Sequence, residues 1–192
     1  MNVIQSLNDV LTRQPERDAL VEIHGTRKET TRRGPLGKMV GKARQFLINS
    51  GVRKGDRVGL LAPNSTAWAA MDLAMLNHGV ISVPLYARQN PAELAQMLQD
   101  CGASFLIGAT EELLDGVRSH WTACCRTALL SEAFETEISE EKPEHLEASD
   151  PITIIYTSGT SGEPKGVILT VENMDFMVPT TGKALDNLLG GT

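Results

Sequence analysis

Apolar positions along this chain switch between a helical period and short compact runs, and the alternation outlines its elements. Val3, Ile4, Leu7, Val10 and Leu11 fall on one helical stripe that ends near Pro15. Residues 19 to 24, ALVEIH, read as a short strand. Leu36, Met39, Val40, Ala43, Phe46 and Leu47 form a second stripe, with Gly51 placed as a C-terminal cap. Residues 57 to 62 make a compact apolar strand stopped by Pro63. Asn64 or Ser65 then caps a helix with Trp68, Met71 and Met75 on one face, closed by Gly79. A strand over 80–85 follows. Pro91 opens a helix bearing Leu94, Met97, Leu98 and Cys101, which Gly102 ends. Residues 104–107, 127–130 and 152–156 read as further strands.

Short apolar strands separated by amphipathic helices predict an α/β fold with a largely parallel sheet flanked by helices on both faces. In such sheets ligands bind beyond the carboxyl ends of the strands. Residues 131 to 150, SEAFETEISEEKPEHLEASD, are acidic and poor in apolar positions, and read as a solvated connector. No internal repeat and no low-complexity tract is visible.

Composition narrows the setting. At 192 residues the chain suits one domain, given a prior of about 150 residues per domain. Hydrophobic residues are 41% and charged residues 22%, ordinary for a globular chain with a real core. A net charge of −6 argues against nucleic acid and anionic membranes, although local geometry can still capture a phosphate. Cys101, Cys124 and Cys125 have no C-x-x-C spacing and suit a reducing compartment. No signal peptide and no membrane span is expected, so the predicted location is cytoplasmic. His24, His78, His120 and His145 are scattered and suggest neither a metal site nor a triad.

The candidate chemistry sits at residues 157 to 166, TSGTSGEPKG. Thr157, Ser158, Thr160 and Ser161 alternate with Gly159 and Gly162, and Lys165 follows. Glycines let the backbone approach a ligand closely. Successive N–H groups in such a turn form an anion-binding concavity, and lysine adds a compact positive charge. The loop is not a Walker A motif, because Glu163 and Pro164 stand between Gly162 and the lysine. Ser158 is not in a G-x-S-x-G setting, so hydrolase chemistry gains no support. Ser/Thr/Gly clusters also occur as ordinary surface turns, and Lys165 also suits a solvated position beside one.

The string from Tyr156 to Val167, YTSGTSGEPKGV, resembles the phosphate-loop signature of the adenylate-forming (AMP-binding) superfamily, in its acyl-CoA synthetase branch. Upstream, GVRKGDRV with LLAPNSTAW, MLNHGVISVPLY and NPAELAQMLQDCGASFLI resemble family segments in the same order, so the similarity covers most of residues 1 to 180. The resemblance implies an ATP-dependent acid–thiol ligase that activates a carboxylic acid as an acyl adenylate before transfer to coenzyme A. Thr157, Ser158, Gly159, Thr160, Ser161, Gly162 and Lys165 would hold the β- and γ-phosphates, with Mg2+ sharing their charge. Lys165 is the candidate catalytic residue in this chain.

The resemblance also has gaps. The chain matches the N-terminal portion of the family domain over 1–192. Counterparts of the Y-G-x-T-E segment, the hinge and the C-terminal domain with its adenylation lysine are absent. The isolated chain is therefore expected to be inactive and to self-associate through an open apolar edge. Where relatives often read T-H-x-N, this chain has Thr170, Val171, Glu172 and Asn173, and KETTRRGPLG lacks the usual aromatic. The VPLY and NPAEL wording leans towards fatty-acid ligases. The alternative readings are a non-catalytic nucleotide-binding or interaction module, and a scaffold with a vestigial loop.

Overall fold

A computed structural model of the protein describes residues 2–121, 126–138, 143–158 and 164–188. Its order begins with α1 (Val3–Thr12), β1 (Asp18–His24), β2 (Arg27–Arg32), α2 (Arg33–Asn49), β3 (Arg57–Leu61), α3 (Thr66–Asn77) and β4 (Ile81–Leu85). It continues through α4 (Pro91–Asp100), β5 (Phe105–Gly108), α5 (Glu111–Arg118), β6 (Arg126–Leu129), β7 (Pro151–Ser158), β8 (Pro164–Thr170) and α6 (Val171–Leu188). The main sheet has the order β6-β5-β3-β4-β7-β8 and is parallel except for the antiparallel pair β7–β8. β1 and β2 form a separate antiparallel hairpin.

The compact apolar strands occupy the sheet centre because they have side chains to bury on both faces. Val58 and Leu60 of β3, with Phe105 and Ile107 of β5, pack under the α2 and α3 residues Leu47, Met71 and Met75. Leu61, Val83 and Leu106 face the other way, onto Leu94 and Leu98 of α4 and Leu114 and Val117 of α5. Gly59 lets α4 come close: a Cβ there would lie 2.7 Å from a Leu98 methyl and 2.9 Å from one of Leu106. A third cluster joins Ile4, Leu76, Leu146, Ile152 and Val171 near α1 and α6.

The helix ends follow their caps. Ser65 Oγ accepts from the Trp68 amide, 3.1 Å away, and Gly79 closes α3 at φ +67°. Asn90 caps α4 and Pro91 takes its first position. His78 at the end of α3 is buried, with Nε2 2.8 Å from the Val52 carbonyl.

Several segments differ from the sequence reading, three of them away from residues 157–188. β2 is too polar to announce itself, and it forms because the turn at Gly25, φ +62°, folds Arg27–Arg32 back on β1. α5 is short, capped by Thr110 and apolar on one side only. The acidic connector is anchored rather than wholly solvated: residues 130–134 form a 3-10 turn with Leu130 and Ala133 buried, and Leu146 is buried further on. Lys54 Nζ lies 2.7 Å from Asp150 Oδ2 and pulls the end of that stretch against the sheet.

Candidate nucleotide site

β7 runs parallel to β4 and carries its apolar residues Ile152 and Ile154 into the core before its last residues emerge. Side chains alternate along a strand, so Thr153, Ile155 and Thr157 share one face while Ile154 and Tyr156 share the other. β8 returns in register, with Ile155 opposite Val167, Tyr156 opposite Gly166, Thr157 opposite Lys165 and Ser158 opposite Pro164. Thr157 and Lys165 are therefore cross-strand neighbours on the same face, and both are exposed. This ladder corrects the extent of the predicted loop. Thr157 and Ser158 are strand residues of β7, and Pro164, Lys165 and Gly166 are strand residues of β8. Gly159, Thr160, Ser161 and Gly162 lie outside the described residues.

An open recess of about 560 Å³ adjoins that face. Pro63 and Asn64 after β3, Trp68 of α3, Tyr86 and Arg88 after β4, and Ile155 of β7 are among its walls. Such a recess at the carboxyl ends of parallel strands is where open α/β sheets bind ligands. Past the Ser82–Thr153 pair, no ladder pair among the described residues joins β4 to β7. Pro84 in β4 has no N–H to give to a ladder at the next level. The gap between the two strand ends is the recess.

The groups present fit a polyphosphate substrate. A hydroxyl and an ammonium group share one exposed face at the mouth of the loop, and no carboxylate is among the recess walls named by the geometry. Among the described residues, no group of three or more His, Cys, Asp or Glu side chains is placed to hold a metal ion. No described helix is long and apolar enough to cross a membrane. Thr170 and Asn173, the ends of the T-V-E-N string, cap α6 reciprocally. The Thr170 amide donates to Asn173 Oδ1 at 2.9 Å and the Asn173 amide to Thr170 Oγ1 at 3.4 Å.

Sequence reasoning missed the partners of Tyr156. Its Oη donates towards Asp100 Oδ2 at 2.5 Å and the Met97 carbonyl at 2.9 Å, both at the end of α4. Burial pushes the phenol pKa up, and the Asp100 carboxylate raises it further. Burial also raises the Cys101 thiol beside it. Nothing local in the sequence joins position 100 to position 156, and only the packing of α4 on β7 could reveal the pair.

The chain belongs to the family of AMP-binding enzymes, whose pattern it matches over residues 7–187. It is 37% identical to the 2-succinylbenzoate–CoA ligase of Geobacillus sp. (strain WCH70), over 83% of this chain and 31% of that protein. It is 29% identical to the mitochondrial medium-chain acyl-CoA ligase ACSF2 of Homo sapiens, over 88% of this chain and 33% of that one. Among solved structures, O-succinylbenzoate coenzyme A synthetase (MenE) from Bacillus subtilis in complex with AMP superposes with a TM-score of 0.79. That match has 25% identity and covers 94% of this chain and 45% of the other. The chain thus spans about a third of the length of the curated relatives it matches.

Proposed function

We propose that this chain supplies the phosphate-gripping wall of an ATP-dependent acid–thiol ligase. The observation that carries the reading is the cross-strand pairing of Thr157 with Lys165, on the exposed face where β7 enters the TSGTSGEPKG turn. The substrate carboxylate attacks the α-phosphorus of ATP, forming an acyl–phosphate bond as the bond to pyrophosphate breaks. The thiol of coenzyme A then attacks the acyl carbon and AMP leaves.

Negative charge grows on the departing pyrophosphate in the first step. Donors fixed where that charge develops lower the barrier without reorganising. Thr157 and Lys165 are proposed as two of these donors. Ser158, Gly159, Thr160, Ser161 and Gly162 are proposed to complete the cradle through hydroxyls and amides. Magnesium would enter with ATP and neutralise part of the same charge. The acid is proposed to be a fatty or aromatic one, in line with the relatives, which are 2-succinylbenzoate–CoA and acyl-CoA ligases. We take turnover to belong to the whole protein rather than to these 192 residues alone, because the relatives are about three times as long. The setting is proposed to be the cytoplasm. Self-association is a further proposal, supported by the exposed apolar side chains Val167, Ile168, Phe176 and Met177.

The test is pyrophosphate release by the full-length gene product, with ATP, magnesium and a panel of carboxylic acids, followed by thioester formation on adding coenzyme A. Acid-dependent release is expected. Binding of ATP without release for any acid would favour the non-catalytic nucleotide-binding module, and no binding at all would favour the scaffold.

A further inference from the structure

The β7–β8 ribbon that carries Thr157 and Lys165 is paired to the sheet at its base and to itself beyond. A two-stranded ribbon alone is marginally stable in water, so its direction must be held by something besides its ladder. On the face towards α4, the Tyr156 hydroxyl has two acceptors at the end of that helix: Asp100 Oδ2 at 2.5 Å and the Met97 carbonyl at 2.9 Å. A phenol has one proton to donate, and these two oxygens share it. Opposite Tyr156 stands Gly166, where a Cβ would come within 3.2 Å of the ring and 2.9 Å of an Ile154 methyl. Glycine there leaves the space that the ring occupies. The helix at the far end of the tether is itself packed into the core, through Leu94, Met97 and Leu98.

We propose that Tyr156 is a positioning residue, whose hydrogen bond to Asp100 fixes the direction in which the ribbon presents Thr157 and Lys165. The phosphate-binding consequence rests on the function proposed above, whereas the tether does not. Removing only the hydroxyl, in Tyr156→Phe, frees the ribbon from α4 while keeping the ring packed. Asp100→Ala leaves the hydroxyl only the Met97 carbonyl as acceptor and weakens the tether from the other side. Asp100→Asn keeps an acceptor oxygen and preserves the tether.

Two measurements test this. In amide hydrogen exchange on the 192-residue chain, Tyr156→Phe should speed exchange in 154–158 and 164–168 roughly tenfold, the range expected for one lost hydrogen bond, and Asp100→Ala should speed it by less because the Met97 carbonyl still accepts. The double variant should be no faster than Tyr156→Phe alone, since Asp100 acts only through that hydroxyl. Asp100→Asn should restore wild-type exchange, and protection in β3, β4 and β5 should not change. Unchanged exchange in the ribbon, or loss spread equally through the central strands, overturns the proposal. In the full-length protein, Tyr156→Phe should raise KM for ATP by roughly tenfold, the ligand cost of one misdirected contact, and leave KM for the acid unchanged. A loosened ribbon with unaltered KM for ATP also overturns the positioning role. If wild-type protein releases no pyrophosphate with any acid, the ligase reading falls, and the exchange data alone decide the tether.

Discussion

β3 and β8 have similar sequences and opposite surroundings. In β3, Val58, Leu60 and Leu61 are wholly buried between helices on both faces of the sheet. In β8, Val167 and Ile168 are 46% and 59% exposed, although the strand reads as just as apolar. The difference is one of place. β3 is third from the β6 edge and fourth from the β8 edge, flanked by β5 and β4, while β8 is, among the described residues, an edge paired on one side only. Exposed apolar surface continues onto α6 through Phe176, Met177 and Leu185. Apolar patches of this kind mark surfaces that meet other polypeptide. A run of valines and isoleucines states only that a strand can be covered; topology states whether it is.

The largest effect that would sharpen this contrast is expected at the centre. Leu106→Ala should destabilise the chain by about 2–5 kcal/mol, the range for a fully buried leucine, measured by denaturant unfolding. Ile168→Ala should cost far less, and an equal cost at the two sites would break the comparison. Lys165→Ala inverts the pattern: about 3 kcal/mol of transition-state stabilisation should be lost in pyrophosphate release by the full-length protein, with melting temperature unchanged.

Smaller effects come from carboxylates at the junction. Asp72 lies beneath the point where β4 meets β7, accepting a 2.6 Å hydrogen bond from Ser82 Oγ, and burial raises its pKa. A raised carboxyl pKa contributes stability below the unfolded value, and that contribution is lost as pH rises through the folded one. Asp72→Asn should therefore raise the melting temperature by about 2–4 °C at pH 8, equivalent to ~1 kcal/mol in a chain of this size, with the gain shrinking towards pH 4. Glu22 and Asp150 have the opposite sign. The Thr66 hydroxyl and amide hold Glu22 below the usual carboxylate range, and Lys54 does the same for Asp150. Their stabilisation is present above the unfolded pKa and lost as pH falls through the folded one. Lys54→Met should consequently flatten the acid limb of the stability curve. The smallest effect is expected from Ile168→Thr, within about 0.5 kcal/mol of wild type, with any self-association reduced in sedimentation velocity. Undiminished association would move the apolar contact elsewhere.

Much of this fold was legible in the sequence because its signals are local. Ser65, Pro91 and Gly79 mark helix ends through hydrogen bonds and backbone angles that involve only neighbouring residues. β2 was not legible, since RKETTR has no apolar period and becomes a strand only beside β1. β8 was hidden by the motif itself, because the glycines and proline of residues 157–166 read as loop while their ends pair as strands. At the candidate site, residue identity was readable and arrangement was not. Thr157 and Lys165 stood out by type, yet their common face depends on a register counted across the turn.

The order of amino acids determined which stretches could be helix or strand, where most would stop, and which residues could grip phosphate, because each of those choices is made over a few neighbouring residues. Tertiary structure alone decided that Tyr156 is tied to the end of α4, that Asp72 lies under the β4–β7 junction, and that β8 is left at an edge. Those outcomes depend on contacts between residues such as Asp72 and Ser82, ten positions apart, and Asp100 and Tyr156, 56 apart, and chain packing rather than local preference brings them together.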